Sequence, residues 1–474
     1  MKPQTETVNP NVGNFIDSLR EIGYSPEIAI ADLIDNSISA GATSIEIYSV
    51  ATPTLIFAML DNGIGMTESE LIEAMRLASK SPNEIRDKLD LGRFGLGLKT
   101  ASFSQCKKLT VISKRNGQLS ARQWDLAFIA SKNEWLLITP NNLSCAPMFE
   151  QFEKLESGTL VVWEEIDRIS VSNFSEVIDK VRKHTSLVFH KFLEGTGSSK
   201  KISISLNNNP IKPFNPFNLN HPATQQIAPE KINVFGSTVT IQPFILPHHS
   251  KLSKQEYDLY ATEEGYIKSQ GFYLYRQNRI IIYGTWWGMH KAADAHKLVR
   301  IKIDIPNSMD THWGIDVKKS IARPSETIRN DLKRIISLVI EKGTRPYSVR
   351  GKKIEDKTVT QFWEIVVSHN KIRFALNESH PMYRRLNETL DVSKREDLLY
   401  YLKGLQAYLP LDAIQARLQL DPLAVDQHEA LSEDEVRNLA KKLSETNINQ
   451  EFLQELLKTE IFKNRKEILT NEQH

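Results

Sequence analysis

Three short clusters of side chains that handle charge and phosphate stand in order near the start of the chain. They are Asp32-Leu-Ile-Asp-Asn36, Asp61-Asn-Gly-Ile-Gly65-Met66 and Gly92-Arg-Phe-Gly95-Leu-Gly97-Leu-Lys99. Two carboxylates beside an amide can hold a divalent cation and steer a water molecule. A carboxylate at a strand end, flanked by glycines, can accept a hydrogen bond from the exocyclic amine of a flat base such as adenine. Glycine amides leading into a helix N-terminus favour bound phosphate. Each cluster also has a plainer reading: the polar face of a surface helix, an Asp-Asn-Gly hairpin turn, a loop. In this order they supply complementary parts of an ATP site.

The elements that must position them follow from the flanking residues. Ser25-Pro26 reads as an N-cap and first helical position and Gly41 as a stop, so a helix is expected from 26 to about 40. At about 100° per residue, Ile30, Leu33, Ile34 and Ile38 share one side, and Asp32, Asp35, Asn36 and Ser39 the other. Ser44-Ile-Glu-Ile-Tyr48 alternates like a strand, and Thr54–Leu60 is an apolar run that delivers Asp61 to its end. The third cluster lacks the Gly-Lys-Ser/Thr ending of a Walker loop and has no strand directly before it, which excludes a Rossmann-type unit. Leu98-Lys-Thr-Ala-Ser102 can begin a helix, and the polar residues 67–91 suit a lid over a nucleotide.

Composition narrows the class. A chain of 474 residues has room for roughly three domains, and a net charge of +2 gives no global pull toward nucleic acid or membrane. Cys106 and Cys145 are too few for a disulfide framework or a cysteine-bound metal, which fits a reducing cytoplasm. The N-terminus has no apolar core of a signal peptide, and no run approaches the roughly 18 apolar residues of a membrane span, so a soluble cytoplasmic protein is expected. His248-His249 has no zinc-type spacing. Arg350, Lys352, Lys353 and Lys357, broken by Glu355 and Asp356, read as a solvated loop rather than a DNA groove.

In order and spacing the three clusters resemble the motifs of the GHKL ATPase superfamily, which includes gyrase B, MutL, heat-shock chaperone ATPases, histidine kinases and MORC proteins. The resemblance implies an α/β fold: a Bergerat-type ATP-binding sandwich, then an α+β transducer domain and a helical C-terminal region. It implies Asn36 as the Mg²⁺ ligand with Asp35 in support, Asp61 with Gly63, Gly65 and Met66 at adenine, and Gly92, Arg93, Phe94, Gly95, Leu96, Gly97, Leu98 and Lys99 around the phosphates. Thr159, in Gly158-Thr-Leu-Val-Val-Trp163, would support the adenine-binding water. Asp32 stands where gyrase-like and MutL-like members carry a glutamate general base. Aspartate is one methylene shorter, so slow hydrolysis is expected. Lys318 and Lys319 occupy the place of the transducer lysine that meets the γ-phosphate, and the sequence does not choose between them.

Within the superfamily, Asp35–Ile47 is close to MutL, whereas Gly92–Thr100 and Gly271–Ile282, with Trp286-Trp287 nearby, are close to MORC and favour a prokaryotic MORC-like member. The polar, proline-rich stretch 196–230 sets the expected domains at 1–195, 196–345 and 346–474, the last serving dimerisation or partner binding. Strands are expected within 231–320, a helix near 324–342, and a capping box opening a helix at Leu431–Leu443. The function expected is slow Mg-ATP hydrolysis that closes a homodimer clamp on DNA or a partner protein, in a setting such as phage defence or DNA repair. A non-hydrolysing nucleotide-gated scaffold and a chaperone-type ATPase are the alternatives. A histidine kinase is opposed because no histidine precedes Asp32.

Overall fold

The computed structural model describes residues 6, 11–21, 23–77, 97–196, 200–316, 318–352, 359–368, 371–420, 425, 430–444 and 450–470. They form two compact units, one from Met1–Leu246, Thr262–Ala292 and Val299–Ser337, the other from Pro247–Ala261, Ala293–Leu298 and Leu338–His474. The first is a mixed α/β body, as the resemblance implied.

The first unit holds two sheets. One comprises β1 (Ser44–Val50), β2 (Ile56–Asp61), β3 (Cys106–Arg115), β4 (Gln118–Asp125), β5 (Gly158–Ile166), β6 (Ser203–Leu206) and β7 (Asn209–Pro210), in the order β4-β3-β5-β2-β1-β6-β7. Neighbours are antiparallel except β1 and β6, which run parallel. Central β2 is buried almost throughout, whereas β1 alternates, as the apolar run and the alternating run in the sequence required. The sheet takes its last two strands from beyond residue 195, the expected domain limit, because Ser44–Ile47 pairs with Ser203–Leu206.

Against this sheet lies the Pro26–Ser39 helix, with Ile30, Leu33 and Ile34 in one core with Ile45, Ile47, Phe57, Met59 and Phe103. Its start is as expected, but the Ser25 hydroxyl donates to Glu27 Oε1 at 2.6 Å instead of capping the helix. Its polar side is not a solvent face: Asp32 and Asp35 are 2% and 1% exposed, and only Asn36 and Ser39 of that side are exposed. The Gly97–Phe103 and Phe174–Val188 helices close over it.

The second sheet comprises β8 (Gln225–Gln226), β9 (Glu230–Val234), β10 (Ser237–Ile245), β11 (Gly271–Arg276), β12 (Arg279–Thr285) and β13 (Val299–Ile305), in the order β12-β11-β13-β10-β8 with β9 also on β10. A helix spans Glu326–Lys352, longer than expected. Arg350 and Lys352 lie on that helix and not on a loop, while Lys353 and Lys357 fall outside the described residues.

The second unit packs helices around Val436, Ala440, Leu456, Ile461 and Phe462. The expected capping box is present: Ser432 N–H donates to Glu435 Oε2 at 2.8 Å and Glu435 N–H to Ser432 Oγ at 3.3 Å. The helical reading of this region missed a hairpin of β14 (Trp363–Ser368) and β15 (Lys371–Leu376). Its signal was available in the β-branched run Ile365-Val-Val367 and the alternating Ile372, Phe374 and Leu376. Among the described residues no helix is long and apolar enough to cross a membrane.

Candidate active site

The helix geometry puts Asp32 and Asp35 on adjoining positions of the buried polar side, and two like charges in one dry place need counter-ions. Both arrive from far along the chain. Lys319 Nζ donates to Asp32 Oδ1 at 3.0 Å and to Asp35 Oδ2 at 2.6 Å. Arg279 Nε stands 2.8 Å from Asp35 Oδ1 as an ion pair. The Tyr24 hydroxyl donates to Asp32 Oδ2 at 3.1 Å. Burial raises the Asp32 pKa; Lys319 and Arg279 oppose this, and Asp35 adds to it. A buried carboxylate whose protonation is poised by such neighbours is suited to taking a proton.

The structure therefore separates the two lysines. Lys319 is buried on the acid pair, its backbone in the left-handed region at φ +53°, a conformation that costs a non-glycine residue about 1–3 kcal/mol. Lys318 is half-buried, and its Nζ lies 3.4 Å from the Gly23 carbonyl.

Asp61 forms a second corner. As the last residue of β2 it lies opposite Thr159 of β5. Ser37 Oγ donates to its Oδ2 at 2.8 Å and Gly63 N–H to its Oδ1 at 2.8 Å. The carboxylate keeps lone-pair capacity for a further donor such as an amine. Burial raises the Asp61 pKa, and the bonds from Gly63, Ser37 and Thr159 oppose it. Ser113 ties the corner together: its Oγ lies 3.0 Å from Thr159 Oγ1 and accepts from Met66 N–H at 2.8 Å. The glycines, expected at a tight turn and at the adenine, also let the chain pack closely on itself. A Cβ on Gly65 would lie 1.9 Å from the Lys114 carbonyl oxygen, and one on Gly63 3.0 Å from that of Ala40.

Of the third cluster, Gly92, Arg93, Phe94, Gly95 and Leu96 lie outside the described residues. Gly97 opens the next helix with its Cβ position 3.5 Å from Asp32 Oδ2, so this backbone passes directly over the acid. Leu98 packs against the core. Lys99, expected near phosphate, is buried with its Nζ on the Ala74 carbonyl at 2.9 Å, and burial pulls its pKa down to about 8.

Among the described residues there is no cluster of three acidic, histidine or cysteine side chains to cage a metal. Mg²⁺ does not require one, since it retains waters and takes phosphate oxygens, so a single exposed amide such as Asn36 fits it. Three contributors were not assigned from sequence. Tyr24 and Ser37 are local to the helix and could have been found by projecting it. Arg279 was quoted within the Gly271–Ile282 segment without a partner, because nothing in a sequence links it to Asp35.

The model of the family described as histidine kinase-, DNA gyrase B-, and HSP90-like ATPase matches residues 24–159. The ATPase MORC2B of Mus musculus is 28% identical over 144 residues, 29% of this chain and 14% of that protein. The DNA mismatch repair protein MutL of Rickettsia akari is 28% identical over 123 residues, 26% of this chain and 20% of that protein. The chaperone protein HtpG of Bacillus licheniformis is 32% identical over 125 residues, 24% of this chain and 19% of that protein. The matched part thus spans a fifth or less of these relatives. The family match opens on Tyr24, which grips Asp32, and closes on Thr159, which faces Asp61; through this segment the chain carries a GHKL ATPase domain.

Proposed function

We propose that this protein is a MORC- and MutL-like ATPase that binds and slowly hydrolyses Mg-ATP. Nucleotide binding closes two copies into a clamp on DNA or a partner protein, in a setting such as phage defence or DNA repair. One observation carries the reading: Lys319 comes from 287 residues away to stand on Asp32. A cation delivered to an acid pair is what phosphoryl transfer needs, because charge grows on the transferring oxygens.

In this reading Asp61 accepts the adenine amine, and the Gly97 helix start faces the phosphates. Asp32 takes a proton from water as its oxygen attacks the γ-phosphorus, and the bond to the β–γ bridging oxygen breaks to leave ADP. Lys319 passes from the carboxylates to the γ-phosphate oxygens, while Asp35, ion-paired with Arg279, keeps it oriented. Asn36 would hold Mg²⁺, which when bound neutralises charge on the phosphates.

A second reading, a nucleotide-gated scaffold without turnover, is favoured by the engagement of both Asp32 oxygens, one by Lys319 and one by Tyr24. The deciding measurement is steady-state Mg²⁺-dependent turnover of wild type, Asp32→Ala and Lys319→Met, with ATP binding and solution mass recorded. Turnover that Asp32→Ala abolishes without loss of binding, and a mass doubled by a non-hydrolysable analogue, are expected. Binding without turnover in wild type would replace the ATPase with the scaffold, and an unchanged mass would remove the clamp.

A further inference from the structure

Asp32 is gripped from two sides, and only Lys319 has been given work. Tyr24 stands just before the Ser25 N-cap and Asp32 comes eight residues later, inside the helix. Cα–Cβ bonds in a helix tilt toward its N-terminus, so the Asp32 carboxylate leans back toward the place where Tyr24 sits. Tyr24 is itself fixed. Its side chain is buried, and its carbonyl accepts from Gln105 Nε2 at 2.9 Å, with Gln105 buried in turn. Gly23 before it takes a left-handed φ of +79°, which aims the chain into this position. Burial and the Asp32 charge raise the phenol pKa, so the hydroxyl is a permanent donor and does not compete for the catalytic proton.

We propose that Tyr24 is the positioning residue for Asp32: its hydroxyl holds the carboxylate in line when Lys319 turns to phosphate, offsetting the reach lost by aspartate in place of glutamate. The proposal rests on Asp32 as the base in the reading above. Among the described residues, the charged and titratable groups that bear on Asp32 are Lys319, Asp35, Arg279 and Tyr24. When Lys319 is shared with a phosphate oxygen, Asp32 retains Tyr24 as its fixed donor. Without the hydroxyl the carboxylate rotates and, beside Asp35, takes up a proton more readily.

Tyr24→Phe keeps the ring and removes the donor. The expected result is ATP affinity within about twofold of wild type and kcat lower by about 10- to 100-fold, the scale of a misplaced reacting group. The acid limb of the kcat–pH profile moves to higher pH, because the lost donor favoured the ionised carboxylate. In the nucleotide-free protein, the carboxyl ¹³C signal of Asp32, assigned by its loss in Asp32→Asn, titrates at higher pH in Tyr24→Phe than in wild type. A second variant guards against misfolding. Asp32→Glu in the wild-type background should lower turnover, because the longer side chain meets a hydroxyl that already lies 3.1 Å from the aspartate, and Tyr24→Phe/Asp32→Glu should recover it. An unchanged kcat and acid limb in Tyr24→Phe would overturn the proposal. If wild type does not turn over ATP, the function falls, and the ¹³C titration still judges Tyr24: an unchanged midpoint overturns it.

Discussion

The two acidic corners of the site are built in opposite ways. Asp61 is held by near neighbours and paired strands: Gly63 is two residues away, Ser37 is 24, and Thr159 arrives by strand register. Asp32 and Asp35 are held by Lys319, 287 and 284 residues away, and by Arg279 from the second sheet. One corner is neutral donors around one charge; the other is a balanced set of two acids and two bases. The first depends on local geometry, and the second depends on the chain being brought together.

The largest break in this comparison should come from Arg279→Met, which leaves Asp35 short of a buried counter-ion. A loss of about 3–5 kcal/mol in urea unfolding is expected, with most of it recovered by Arg279→Met/Asp35→Leu, since a buried pair replaced whole costs far less than one broken. A single variant no less stable than wild type would show that Arg279 is dispensable to the cluster.

A smaller effect is expected at the other corner. Ser37→Ala removes one donor to a buried carboxylate, at a cost of about 1.5–3 kcal/mol near neutral pH. Its pH dependence has a defined sign. Burial raises the folded pKa of Asp61 above its ordinary 3.8, so this group favours the fold below that value and the gain is lost as pH rises through the folded pKa. Ser37→Ala raises the folded pKa further, so the penalty should be least in acid and grow through that window. Stability curves that stay parallel across pH would mean that the serine does not bear on the charge.

Least affected should be Lys318→Ala, whose half-buried side chain makes a long contact with the Gly23 carbonyl; a change within about 0.5–1 kcal/mol is expected in the same unfolding assay. A loss comparable to that of Arg279→Met would place Lys318 in the charge cluster with its neighbour.

Legibility followed the same division. The Pro26–Ser39 helix and the strand ending at Asp61 could be read because caps, apolar runs and turns act over a few residues, whereas Thr159 of the Gly158–Ile166 strand was reached only through the family resemblance. Lys319 could be narrowed only to a pair, since the turn that selects it bends through a left-handed residue that the side-chain sequence does not announce. Arg279 had no local signal at all. The glycines at 63 and 65 carry a further reason that the sequence does not show: their missing side chains admit carbonyls of the same chain, that of Ala40 at the end of the Pro26–Ser39 helix and that of Lys114 on a strand 49 residues beyond Gly65.

The four-charge cluster has a consequence for biosynthesis. A nascent chain emerges from its N-terminus, so Asp32 and Asp35 are made long before Arg279 and Lys319. Until residue 319 has left the ribosome the two acids lack their cations, and the helix that carries them cannot be buried at neutral charge without taking up protons. This corner therefore matures late, and a chain truncated before Lys319 carries its own mark of incompleteness in the form of unbalanced acid.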